Sequence, residues 1–226
     1  MLIAYVQVGK NMYIITGLGR CGTSILTKFL KEVGFGVGYN INWHENVRAG
    51  YELSTFYTLT HDLYHRFCKE GKPIDLDVKC WGDYWDGYTY REALINVDKD
   101  ERQGRVDVVK DPRITWHPDI IEAIYKARQD IELLICHRNI KDIYNSRKSL
   151  PMAYDDPKPR KQLCDYQIDF AEFYTRVLKL EITHKFFFFP NFLKNYDSLY
   201  NSLYYFNEYD KGKEIWEKII DKDLLK

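Results

Sequence analysis

The sequence carries no net charge: Lys plus Arg and Asp plus Glu each number 33. A global attraction to nucleic acid or to an anionic membrane is therefore not indicated, although local basic sites can still form. Long apolar runs are also missing. The most hydrophobic stretch, FFFFP ending at Pro190, falls far short of the ~20 residues that span a bilayer. The five cysteines (Cys21, Cys68, Cys80, Cys136, Cys164) are odd in number and form no Cys-x-x-Cys pair, which argues against a disulfide framework or a zinc site. No repeat or low-complexity linker is present. The N-terminal MLIAYVQVGKN is too short, and too polar after Val8, for a signal peptide, so the expected location is a reducing cytoplasm.

What is present suits one α/β domain over residues 1–226. The chain is 45% apolar, enough for a core, and 16% aromatic. Met12–Thr16 reads as a buried strand. A helix follows over Thr23–Val33, with Ile25, Leu26, Phe29, Leu30 and Val33 on one face and Gly34 as its stop. Residues 36–66 read as a loop and then a helix near Ser54–Phe67. Residues 68–104, which include WGDYWDGYTYRE, have no clean period and form an irregular insertion, either a recognition surface or an aromatic-packed excursion. Val106–Val109 is a second buried strand, Pro118–Arg128 a helix with Pro118 in its first turn, and Ile131–Cys136 a third strand. Asn139 is placed to cap the next helix, with Asp142 favouring its N-terminus. Residues 150–162, with three prolines, read as a mobile loop. A helix over Cys164–Leu180, a strand at KFFFFP, a helix capped by Asp197 or Ser198 and running to about Phe206, and a last helix complete the chain. This alternation predicts a mostly parallel sheet flanked by helices, a three-layer architecture like that of phosphate-loop nucleotide hydrolases. Ligands of such sheets bind beyond the carboxyl ends of the strands. Gly17–Ser24, Lys110–Arg113 and Arg138 all follow strands, so the topology brings them to one edge.

The first of these clusters, YIITGLGRCGTSIL, is a strand, a glycine-rich turn and a helix start. Gly17-x-x-x-x-Gly22 is followed by Thr23-Ser24, where an ATP-binding phosphate loop has Lys-Ser or Lys-Thr. Backbone N–H groups of such a turn, with Thr23 and Ser24 hydroxyls and the Arg20 guanidinium, make an anion cradle. A triphosphate with Mg²⁺ calls for the missing lysine; a single 5′-phosphate carrying a sulfonate does not.

GLGRCGTSIL resembles the 5′-phosphosulfate loop of sulfotransferases, with Cys21 in place of their serine. HRNIKDIYNSRKS is similar to their 3′-phosphate motif, in which an arginine at a strand end is followed eight residues on by a serine, here Arg138 and Ser146. VVKDPRITWHP looks like their Lys-Asp-Pro-Arg segment, AGYELSTF like their glycine-aromatic-glutamate segment with Glu52 aligned, and KNYDSLYNSLYYF like their C-terminal helix. The resemblance covers about residues 13–206, excepting 68–104. It implies 3′-phosphoadenosine 5′-phosphosulfate (PAPS) as donor and no metal. Gly17, Gly19, Arg20, Cys21, Gly22, Thr23 and Ser24 then surround the phosphosulfate, and Arg138 and Ser146 take the 3′-phosphate. The implied reaction is in-line sulfuryl transfer to a hydroxyl or amine on a small molecule or carbohydrate. Arg20 and Lys110 are the candidates to stabilise the leaving phosphate. Cytosolic-type members place a histidine base two residues after a strand-end lysine; here Pro112 stands there. Glu52 is the first remaining candidate base, with His44 and Asp111 behind it. Asp111 has an alternative as partner of Arg113 or as a turn cap. His61 and His65, four apart on a helix, lack a third ligand signal and read as solvated. Two rival readings remain: a nucleotide kinase with a degenerate phosphate loop and Asp111 on Mg²⁺, and a non-catalytic nucleotide-binding protein of the same fold.

Overall fold

The computed structural model describes residues 11–38, 40–41, 52–81, 83–99, 104–148, 162–203 and 208–220. His44 and most of the proline-rich segment at 150–162 lie outside them. Four parallel strands form the main sheet: β1 (Met12–Thr16), β4 (Val108–Lys110), β5 (Ile131–Arg138) and β6 (His184–Phe189), in the order β4-β1-β5-β6. β2 (Asn40–Ile41) and β3 (Glu52–Leu53) make a separate antiparallel pair.

Pleat alternation divides the core between the two faces of the sheet. Ile14, Val109, Leu133 and Ile135 point to one side. There they meet Phe56, Leu59 and Leu63 of α2 (Ser54–Arg66), Ala93 and Leu94 of α3 (Tyr90–Asn96), Ile120 and Ile124 of α4 (Pro118–Ala127) and Phe173 of α6 (Leu163–Lys179). Tyr13, Ile15, Val108, Leu134 and Cys136 point to the other. Their partners include Leu26, Phe29 and Leu30 of α1 (Thr23–Glu32), Ile143 of α5 (Ile140–Lys148), Leu199 of α8 (Tyr196–Ser202) and Trp216 of α9 (Tyr209–Ile219). The short α7 (Asn191–Lys194) follows β6. The sheet with helices on both faces is the α/β architecture expected from the alternating elements.

Local chemistry explains the boundaries, including those that differ from expectation. The second buried strand starts at Val108, not Val106, because Val106 bridges to Val37 and the Asp107 carboxylate accepts from the Gly36 N–H at 2.7 Å, bending the chain there. β5 runs on to Arg138, paired with Phe189, so Arg138 is the last strand residue. Asn139 accepts from Lys141 N–H at the start of α5, as its position predicts. α8 is capped by Asn195, not by Asp197 or Ser198: the Asn195 side chain accepts from Ser198 N–H at 3.0 Å. Within 68–104 the unforeseen helix α3 starts at a reciprocal capping box between Thr89 and Glu92. The WGDYWDGY stretch is anchored by Trp85, whose indole N–H donates to Thr55 O, while Trp81, Tyr84 and Tyr88 are exposed.

Candidate functional site: an anion cradle at the carboxyl edge of the sheet

The turn after β1 takes a left-handed backbone repeatedly: φ is 150° at Gly17, 77° at Gly19, 56° at Arg20 and 92° at Gly22. Glycine is required at two of these places by close approach. A Cβ on Gly17 would lie 2.3 Å from the Cys136 carbonyl oxygen, and one on Gly22 would lie 2.6 Å from the Phe189 ring. Arg20 holds its conformation with a side chain, a strain of about 1 kcal/mol or more that the surrounding packing must offset. Alternating backbone of this kind turns successive N–H groups inward. α1 then begins with no side-chain cap and no acidic residue in its first turn, so that turn supplies nothing negative to its N-terminal dipole.

Three cationic side chains gather around this turn. Lys110, at the end of β4 and 2% exposed, donates from Nζ to Ser24 Oγ at 3.0 Å. Arg20 Nε donates to Ser146 Oγ on α5 at 3.3 Å. Arg138, at the end of β5, donates from Nη1 to the Arg20 carbonyl at 3.2 Å and lies 5.0 Å over the Phe189 ring. Among the described residues the buried Arg138 Nε has no hydrogen-bond partner, and an Asp142 carboxylate oxygen lies 4.0 Å away. The turn therefore carries two groups, Ser24 with Lys110 and Arg20 with Arg138 and Ser146. The eight-residue spacing of Arg138 and Ser146, two helical turns, acquires a geometric reason: Arg20 reaches across to both.

Two loop residues sit deeper than their place in the motif suggests. Cys21 is fully buried, against Gly17 and beside Cys136, and burial pushes its thiol up to about 11. Thr23 is also buried. The backbone N–H groups of Gly19, Cys21 and Thr23 face the buried Cys21 sulfur; the displayed hydroxyls are those of Ser24 and Ser146.

Asp111, one residue beyond Lys110, is fully buried. Its Oδ1 accepts from Arg113 Nε and from Arg113 N–H, both at 2.9 Å; its Oδ2 accepts from Arg113 Nη2 at 2.7 Å and from Thr60 Oγ1 at 2.5 Å. Burial alone would raise its pKa, but the Arg113 charge and these hydrogen bonds hold it below the ordinary carboxylate range. It pairs with Arg113 and caps the turn at once, which is the alternative to a role as proton acceptor. Thr60 was not legible as its partner, because α2 is 51 residues away in sequence.

Glu52 belongs to β3, paired with Ile41, and β3 lies beside β4. His61 and His65 are neighbours on α2 with ring centroids 4.3 Å apart, His61 stacking on Tyr57. Among the described residues no group of three or more His, Cys, Asp or Glu forms a metal-holding set.

No known family profile matches the chain, and no curated protein matches it. Among solved structures, a sulfotransferase from Mycobacterium tuberculosis is similar at 13% sequence identity and a TM-score of 0.49, over 94% of this chain and 72% of that one. The α/β class rests on the parallel sheet itself. No helix among the described residues is long and apolar enough to cross a membrane.

Proposed function

We propose that this protein is a sulfotransferase that uses PAPS as donor. The observation that carries the reading is the junction of Arg20, Ser24, Lys110, Arg138 and Ser146 around a turn built of left-handed residues. The donor has one anionic group at each end of its ribose, and the site has two cationic ends to match. Lys110, Ser24 and the N-terminus of α1 suit the 5′-phosphosulfate. Arg138 and Ser146 suit the 3′-phosphate, and the buried Arg138 Nε, without a partner among the described residues, supplies a donor for it. Arg20, on the turn itself, contacts both Ser146 and Arg138.

Bound donor supplies an activated sulfuryl group. The acceptor oxygen or nitrogen forms the new bond to sulfur as the bond from sulfur to the bridging phosphate oxygen breaks. Lys110 and Arg20 hold the charge that collects on that oxygen, and because Lys110 is nearly dry its charge is weakly screened. The acceptor proton needs a carboxylate or imidazole; Glu52, on the strand beside β4, is our candidate, with His44 second. The acceptor class is a hydroxyl- or amine-bearing small molecule or carbohydrate. A kinase reading would ask Asp111 to hold Mg²⁺, but both its oxygens are engaged by Arg113 and Thr60.

The test is transfer of radiolabelled sulfate from PAPS to a panel of sugars, phenols, lipids and tyrosine peptides. Label in at least one acceptor with the wild type, and loss of that label in Lys110→Met, supports the reading. Phosphate transfer from ATP·Mg²⁺ instead of sulfate transfer would replace it with the kinase.

A further inference from the structure

Arg113 is the cation of the Lys-Asp-Pro-Arg segment that the transfer chemistry does not use, and its contacts point inward. Its guanidinium lies 3.6 Å from the Tyr57 ring centroid. Nη2 donates to Tyr57 O at 3.1 Å, to Thr60 Oγ1 at 2.8 Å and to Asp111 Oδ2 at 2.7 Å, while Nε takes Asp111 Oδ1. Thr60 closes the ring of contacts by donating to Asp111 Oδ2. On the other side of the backbone, Thr16 Oγ1 donates to the Asp111 carbonyl at 2.9 Å and shares a hydrogen bond with Thr115 Oγ1. Residue 111 is thus held through both its carboxylate and its carbonyl, by α2 and by β1.

Successive residues of an extended chain point to opposite faces. Fixing Asp111 toward α2 therefore fixes Lys110 toward α1, where its Nζ meets Ser24. We infer that Arg113 and Thr60 are positioning residues of the donor site: they touch no ligand, but by clamping Asp111 they hold the Lys110 ammonium against the cradle. The clamp also seats the N-terminal half of α2, and with it the β3 strand that carries Glu52, against the same strand end. This rests on reading the cradle as an anion site.

The experiment is a double-mutant cycle read by calorimetry, with pyrophosphate and with adenosine 3′,5′-bisphosphate as probes. The variants are Thr60→Val, which keeps the volume, Arg113→Lys, Lys110→Met, and each of the first two combined with Lys110→Met. The expected result is that Thr60→Val and Arg113→Lys each weaken pyrophosphate binding by about three- to tenfold when Lys110 is present. Neither should weaken it further when Lys110 is Met. Melting temperatures report folding separately. Equal losses in both backgrounds, or a lowered melting temperature with unchanged affinity, would leave the clamp a merely structural device and overturn the inference. If pyrophosphate binding is unaffected by Lys110→Met, the premise about Lys110 fails as well. If the coupling holds for pyrophosphate but the 3′-phosphate adds no affinity, the clamp stands and the PAPS reading falls.

Discussion

Lys110 Nζ lies 3.0 Å from Ser24 Oγ, joining the end of β4 to the first turn of α1 across 86 residues of sequence. A lysine from a neighbouring strand thus stands where the glycine-rich turn has none of its own. On the proposed function the same ammonium serves a ligand anion held by the turn.

Lys110→Met keeps the aliphatic stem and removes the charge. Removing a charge-assisted contact of this kind costs about 1.5–3 kcal/mol, so adenosine 3′,5′-bisphosphate should bind about ten- to a hundredfold more weakly. Isothermal titration measures it. Because the side chain is almost completely buried, the melting temperature of the unliganded variant should hold or rise.

Arg138→Ala should act on one end of the nucleotide. Affinity for adenosine 3′,5′-bisphosphate should fall about ten- to a hundredfold, from loss of a charge-assisted contact, while affinity for adenosine 5′-monophosphate barely moves. Equal losses for both would mean that Arg138 acts through its contact with the Arg20 carbonyl, as a brace for the turn.

Gly17→Ala should be severely disruptive. The added carbon would meet the backbone carbonyl of Cys136 and the Cys21 sulfur, and the carbonyl belongs to a central strand that cannot retreat. A loss of about 2 kcal/mol or more is expected, read as a fall in the denaturant midpoint. Gly34→Ala, with nothing within 4 Å of its Cβ, should cost only the strain of its φ of 104°.

Much of this arrangement was legible along the chain, where cause is local. Continuous apolar runs placed β1 and β5, as expected of strands covered on both faces, Pro118 set the start of α4, and Asn139 set the start of α5. The capping box at Thr89 and Glu92 was also there to read, but the aromatic residues around it obscured the helical period. What the sequence could not reveal is contact between distant segments. Thr60 reaches Asp111, and Phe189 supports Arg138, only once the sheet has closed. Burial of Cys21 and Thr23 follows from how tightly the turn is pressed on β5 and α7, which the motif alone does not express.

Asp62 offers a pH test of the α2 packing. Burial raises its pKa from 3.8 to about 6. A carboxyl whose folded pKa is raised favours folding while protonated, fully below its unfolded value of 3.8, and loses that contribution as pH rises through about 6. Asp62→Asn should therefore raise the melting temperature at pH 8 relative to wild type and leave it unchanged near pH 3.5. The gain is about 1 kcal/mol once the partial exposure of the site is discounted. An equal effect at both pH values would assign it to the amide's contacts and not to the charge.

The measurement that bears most directly on the central claim is the selectivity of the wild-type protein among three nucleotides, by calorimetry in buffer containing EDTA and again with Mg²⁺ for ATP. The account predicts that adenosine 3′,5′-bisphosphate binds at least about tenfold more tightly than adenosine 5′-monophosphate, from the charge-assisted contacts at Arg138, and that EDTA makes no difference to it. Equal affinity for the two adenosine nucleotides, or a preference for ATP that depends on Mg²⁺, would contradict it.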